Sequence, residues 1–115
     1  MNVELTRFKV KPGKSHRVDE WMQFLNNHMK EVLLTLNDEK MYVETIFREI
    51  KDGEEYLYWY SVQGEGGTNV ENSQHEVDKK HVEFWYECMD EESPVIDMKT
   101  EVIMIQDVVK EAMKY

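Results

Sequence analysis

The sequence predicts an α+β domain of ferredoxin-like βαββαβ order, in which a four-stranded antiparallel sheet carries two helices on one face. Three observations predict it. Apolar residues recur at helical spacing from Val18 to Leu36, Asp52-Gly53 divides two strand-like runs, and a second amphipathic stretch from His75 precedes a final apolar run.

Residues 3–10 alternate as a first strand, and Lys11-Pro12-Gly13-Lys14 ends it with turn chemistry. After Ser15, an expected N-cap, Val18, Trp21, Met22, Leu25, Met29, Val32, Leu33 and Leu36 mark one long amphipathic helix that closes near Asn37-Asp38. Residues 41–50 and 56–62 are rich in β-branched and aromatic side chains, so they read as a hairpin around Asp52-Gly53, whose positive-φ positions a type I′ turn requires. On the second of these strands Tyr56, Tyr58, Tyr60 and Val62 share one face, and Leu57, Trp59 and Ser61 share the other. Neither face is charged, which predicts that both are covered.

Gly64-Glu65-Gly66-Gly67-Thr68 is a flexible exit from that strand and lacks the Gly-Lys-Ser/Thr ending of a phosphate loop. Ser73-Gln74-His75-Glu76 has the form of a capping box, opening a second helix that runs to about Asp90. Its inward stripe is Val77, His81, Phe84, Trp85 and Cys88, and Pro94 bars its continuation. Residues 101–106 then predict the fourth strand, with a short helix after Asp107.

A chain of 115 residues has material for a single domain over 1–115, and its 41% hydrophobic content suffices for one core. The formal charge of −10 argues against nucleic acid and anionic membrane as partners, since both are held by Lys and Arg. No apolar run approaches the roughly 20 residues of a membrane helix, and residues 1–10 lack a signal-peptide layout, so a cytoplasmic setting is expected. Cys88 is the sole cysteine, which leaves no intrachain disulfide and no multi-cysteine metal site. Set between Trp85 and Met89, it reads as an inert core thiol.

With both helices on one face, the other face of the sheet would expose an aromatic patch larger than monomers usually tolerate, and a homodimer is the simplest cover. At this level the chain resembles the dimeric α+β barrel superfamily, whose members include small monooxygenases, haem-degrading enzymes, stress-response barrels and sugar mutarotases. The segments Glu55-Tyr-Leu-Tyr-Trp-Tyr-Ser-Val-Gln-Gly-Glu-Gly-Gly67 and His75-Glu-Val-Asp-Lys-Lys-His-Val-Glu-Phe-Trp85 look like a small bacterial group of that superfamily with no assigned activity. Among characterised members the layout is similar to L-rhamnose mutarotase. The shared features are a strand closed by a Pro-containing turn, a long helix, an aromatic second helix, and a last strand of the type Glu101-Val-Ile-Met-Ile105.

His81 falls mid-stripe on the second helix and Asp78 lies one turn before it, the spacing of a base and its orienter. A histidine there also serves as a core hydrogen-bonding group, so the structural and functional readings both stand. His28 sits at the edge of the first helix's apolar face. On strand two Glu44 and Arg48 share a face; were that face to meet the helices, they would join Tyr58 and His81 around one cavity, with His28 and Trp85 as further candidate ligand-binding residues. His75 and His81 lie on different sides of their helix, so no helix-encoded metal site is expected, and no cofactor is implied. The expected function is small-molecule binding with an isomerase or cofactor-free oxygenase role, His81 accepting a proton. The alternative is a non-enzymatic self-associating or stress-related domain whose histidines are structural.

Overall fold

Two tight reversals and one interrupted helix set the path of the chain, seen in a computed structural model that describes residues 1–67 and 73–113. The elements run β1 (Asn2–Lys9), α1 (Ser15–Asn27), α2 (Met29–Glu39), β2 (Met41–Lys51), β3 (Glu54–Gln63), α3 (Glu76–Cys88), β4 (Ile96–Asp97) and α4 (Asp107–Ala112). The sheet has strand order β2-β3-β1-β4, antiparallel throughout.

The hairpin forms as expected. Asp52 and Gly53 adopt φ of 53° and 78°, and Lys51 pairs with Glu54 across them. Register then decides the faces: Phe8 opposes Leu57, which opposes Arg48, and Thr6 opposes Trp59, which opposes Ile46. These residues point to the helices. Tyr56, Tyr58 and Tyr60 point the other way, together with Arg7 and Phe47.

The expected single long helix is two. At His28, φ and ψ are −117° and 30°, and its Nδ1 lies 2.8 Å from the Phe24 carbonyl, while the ring stacks on Phe24 at 4.4 Å. A side chain competing for a helical carbonyl, after two asparagines of poor helix propensity, is a sufficient cause of the break. The second helix also departs by two residues from its expected cap: α3 starts after His75, and Ser73 Oγ accepts from the His75 N–H at 3.1 Å.

The larger correction concerns the fourth strand, which is Ile96–Asp97 beside β1 and not residues 101–106. Thr6 Oγ1 donates to Asp97 Oδ1 at 2.9 Å, and the Met98 N–H donates to the Leu5 carbonyl at 2.9 Å. The chain then leaves the end of the sheet. Residues 101–106 pair with no strand among the described residues, and Val102 and Met104 are 69% and 87% exposed. Apolar content alone predicts burial but not the partner that supplies it.

The core lies between helices and sheet, around Val18, Trp21, Leu57, Phe84 and Cys88. Trp21 is fully buried and stacks on Phe84 with ring planes 5° apart. Cys88 is buried as expected, and its burial raises the thiol pKa, which suppresses the reactive thiolate. No helix among the described residues is long and apolar enough to cross a membrane.

Candidate functional site

Past this core the same layer is hollow. α1 packs on α3, and α2, redirected at His28, packs on the edge strand β2 as well as on α3. A cavity of about 900 Å³ lies between them and the sheet. Its apolar wall is Met22 and Leu25 of α1 with Met29, Val32 and Leu33 of α2, and Phe8, Trp59 and Trp85 add aromatic surface. Its polar end gathers Glu4, Glu39, Glu44, Ser61, Asp78 and His81.

Each polar group arrives by its place on an element. Glu44 and Ser61 are opposed across β2 and β3 and face the helices. Glu39 is the last residue of α2, held there by Lys40 in the left-handed conformation and by Gln63 Nε2, which donates to the Glu39 carbonyl at 3.0 Å. Gly67 lies so close to the Glu39 backbone that a Cβ would overlap its carbonyl, so only glycine fits. Thr68 and the next four residues lie outside the described residues.

His81 is held by Trp21, whose Nε1–H donates to Nδ1 at 3.0 Å. Indole nitrogen is only a donor, so Nδ1 is an acceptor and the neutral ring carries its proton on Nε2. Burial depresses the pKa to about 4, with the Asp78 charge opposing, so the ring is neutral at physiological pH. Burial, with Asp78, Glu44 and Asp38 nearby, pushes the Glu39 carboxyl up to about 8. Burial also raises Glu44, against a hydrogen bond from Trp59 that favours its ionised form. Asp78 is 6% exposed, and its buried Oδ2 has no hydrogen-bond partner.

Of the residues singled out from sequence, the cavity brings together Glu44, Asp78, His81 and Trp85. Three others lie elsewhere. Arg48 reaches away to Glu55 at 2.7 Å, Asp19 and Ser15; Tyr58 is on the opposite face, donating to Glu49 at 2.7 Å; and His28 is exposed at the helix break. Tyr58 could not join Glu44, because residues opposed across a hairpin share a face and Tyr58 opposes Phe47. The ring of His81 is oriented by Trp21, while Asp78 acts on it through charge. Glu39, Trp21 and Trp59 were missed as site residues. Glu39 carries no periodic signal, sitting in the polar run Asn37-Asp38-Glu39-Lys40 that reads as a turn.

Among the described residues no group of three or more His, Cys, Asp or Glu side chains is arranged to hold a metal ion. What remains is acid–base capacity: the buried Glu39 carboxyl, which keeps its proton near neutrality, beside the largely buried carboxyl of Glu44, the buried carboxyl of Asp78 and an imidazole N–H.

Residues 1–111 match the model of a family described as a family of unknown function, DUF6176. The chain belongs to that family. No curated protein matches it. Among solved structures it is similar to the L-rhamnose mutarotase of Formosa agariphila, with 16% identity, a TM-score of 0.54, and coverage of 93% of this chain and 100% of that one. At that identity the likeness is one of fold, and it fits the ferredoxin-like α+β barrel layout described above.

Proposed function

We propose that this member of the family binds a small organic molecule in the cavity and transfers a proton on it, a reaction of isomerase type. The observation that carries this is the protonated Glu39 carboxyl facing the same cavity as Glu44. Burial raises both carboxyls, and the Trp59 hydrogen bond opposes the rise at Glu44 alone, which suits Glu39 to be the acid and Glu44 the base. Glu39 gives the proton, Glu44 takes one with Trp59 steadying its ionised form, and the His81 Nε2–H donates to a ligand oxygen. The Nδ1 lone pair that a basic His81 would use is already engaged by Trp21, which supports the donor role over that of proton acceptor.

The structural neighbour is named for a sugar mutarotase, so L-rhamnose is one probe, and the reading itself requires only proton exchange on whatever small molecule the cavity binds. Anomer exchange and solvent deuterium uptake, followed by proton NMR, test the reading. Glu39→Gln should slow exchange about a hundredfold or more, the usual weight of a general acid, while retaining binding. Equal rates in variant and wild type would remove Glu39 from the reaction.

A second reading, self-association, is favoured by a separate observation. The tyrosine face lies opposite the three packed helices, and the arm of residues 101–106 is apolar and unpaired. We infer a homodimer that covers both. Sedimentation across a dilution series should show a dimer that weakens when residues 101–115 are removed; a monomer at every concentration overturns it. The lone buried thiol and acidic surface fit a cytoplasmic setting.

A further inference from the structure

The cavity has an acidic pole and no basic one. Glu4, Glu39, Glu44 and Asp78 come to it from β1, α2, β2 and α3, and among the described residues that line it there is no lysine or arginine. Of the cations on α1 and β2, Arg17 pairs with Glu87 and Glu20, and Arg48 with Glu55 and Asp19. Within this pole Asp78 Oδ2 is buried without a donor. Buried acceptors are nearly always satisfied, and one that is not marks a place where a partner belongs.

The geometry points to a protonated primary or secondary amine with an apolar body as the ligand of this cavity, its N–H donating to Asp78 Oδ2. This rests on the cavity being a small-molecule site, as proposed above, and adds the chemical class. Phosphates and carboxylates would enter against the charge of the pole without a cation to receive them. A fully hydroxylated ligand would set its hydroxyls against Met22, Leu25, Met29, Val32 and Leu33, which offer no hydrogen bonds. An ammonium head satisfies the orphan acceptor and offsets the crowded carboxyls, with the faces of Trp59 and Trp85 available to it. The alkyl or aryl body then lies along the Met and Leu wall. A quaternary ammonium has the charge but no N–H, so it leaves Asp78 Oδ2 unmet.

A second signature follows from the same arrangement. Glu39 keeps its proton partly because Asp78, Glu44 and Asp38 surround it, and Asp38 is itself paired with His75 at 2.8 Å. A cation placed among Glu4, Glu39, Glu44 and Asp78, with His81 neutral beside them, favours ionised Glu39. Binding near pH 7 therefore lowers the Glu39 pKa and releases part of its proton, leaving the rest of the population in the acid form that proton transfer uses.

The test uses the full chain with hexylamine, hexyltrimethylammonium, 1-hexanol, hexanoate and L-rhamnose as probes, by thermal shift and by calorimetry at pH 7 in phosphate and in Tris. Hexylamine should bind about tenfold or more tightly than each of the others, as expected for a charge-assisted hydrogen bond. Its heat should differ between the buffers in the sense of proton release. Asp78→Asn should weaken hexylamine about tenfold and leave 1-hexanol unchanged. If any of the other four probes binds as tightly as hexylamine, or if Asp78→Asn binds hexylamine as wild type does, the N–H-donating amine is overturned and the small-molecule cavity stands. If none of the five binds, both are overturned. Should Asp78→Asn fail to fold, Glu39→Gln decides: loss of the buffer-dependent proton release supports the amine, and its persistence overturns it.

Discussion

One helix–sheet layer has two unlike ends. Toward the C-terminal end of α3, Phe84 and Cys88 close against Val18, Trp21 and Leu57 with no space left. One to two turns earlier, Asp78 and His81 of the same helix border a cavity of about 900 Å³. The solid end is built by apolar complementarity and the hollow end by carboxyls that cannot all be charged, hydrogen-bonded and dry together. Trp21 joins them, with its ring in the core and its N–H on His81. Stability is concentrated at one end so that the other can tolerate unmet polar groups.

The largest way to break the contrast is to hollow the solid end. Trp21→Ala should cost about 3–5 kcal/mol in urea denaturation, the range for deleting a large buried aromatic. It should also free His81 Nδ1, so that the imidazole titrates above its depressed value of about 4 in an NMR titration.

The hollow end is exposed by pH. A carboxyl with a raised folded pKa binds protons more tightly folded than unfolded, so stability falls as pH rises from its ordinary value of 4.5 toward about 8. His81 works in the opposite sense between about 4 and 6.5, where the unfolded chain binds more protons. Above pH 6.5 the carboxyl effect dominates, with the last of the His81 effect opposing it. From pH 6.5 to 8 the wild type should therefore lose about 1 kcal/mol of unfolding free energy. Glu39→Gln should flatten that slope, and an unchanged slope would remove Glu39 as its source.

A smaller effect is expected at the rim. Gly67→Ala forces the loop away from the Glu39 carbonyl and should cost about 1 kcal/mol, with Glu39 titrating lower as water reaches it. On the far face Tyr58→Phe removes an exposed hydrogen bond to Glu49 and should leave ligand affinity in the cavity unchanged. A change there would show that the two sides of the sheet communicate.

Local cues made most of the fold legible, because helical periodicity, a Gly at a positive-φ turn and alternation along a strand are written in neighbouring residues. The same cues placed His81 on the inward stripe of α3 with Asp78 one turn before it, and the cavity receives both. They failed where the outcome depends on a competing partner. The break at His28 turns on a side chain reaching a carbonyl four residues back, and the fourth strand went to Ile96–Asp97 because Asp97 can bond Thr6, a preference invisible in hydropathy. Glu39 became a site residue because α2 ends against Gly67 and Gln63.

By itself, then, the sequence determined the order of elements, the two-faced sheet and the absence of disulfide support, since each follows from residue type and short-range spacing. Only the tertiary structure decided that Glu39, Glu44 and Asp78 from three elements come near one another, that Trp21 takes the lone pair of His81, and which face of β2 turns inward. Charge proximity and burial act through space, and a linear pattern holds no record of distances between residues far apart along the chain.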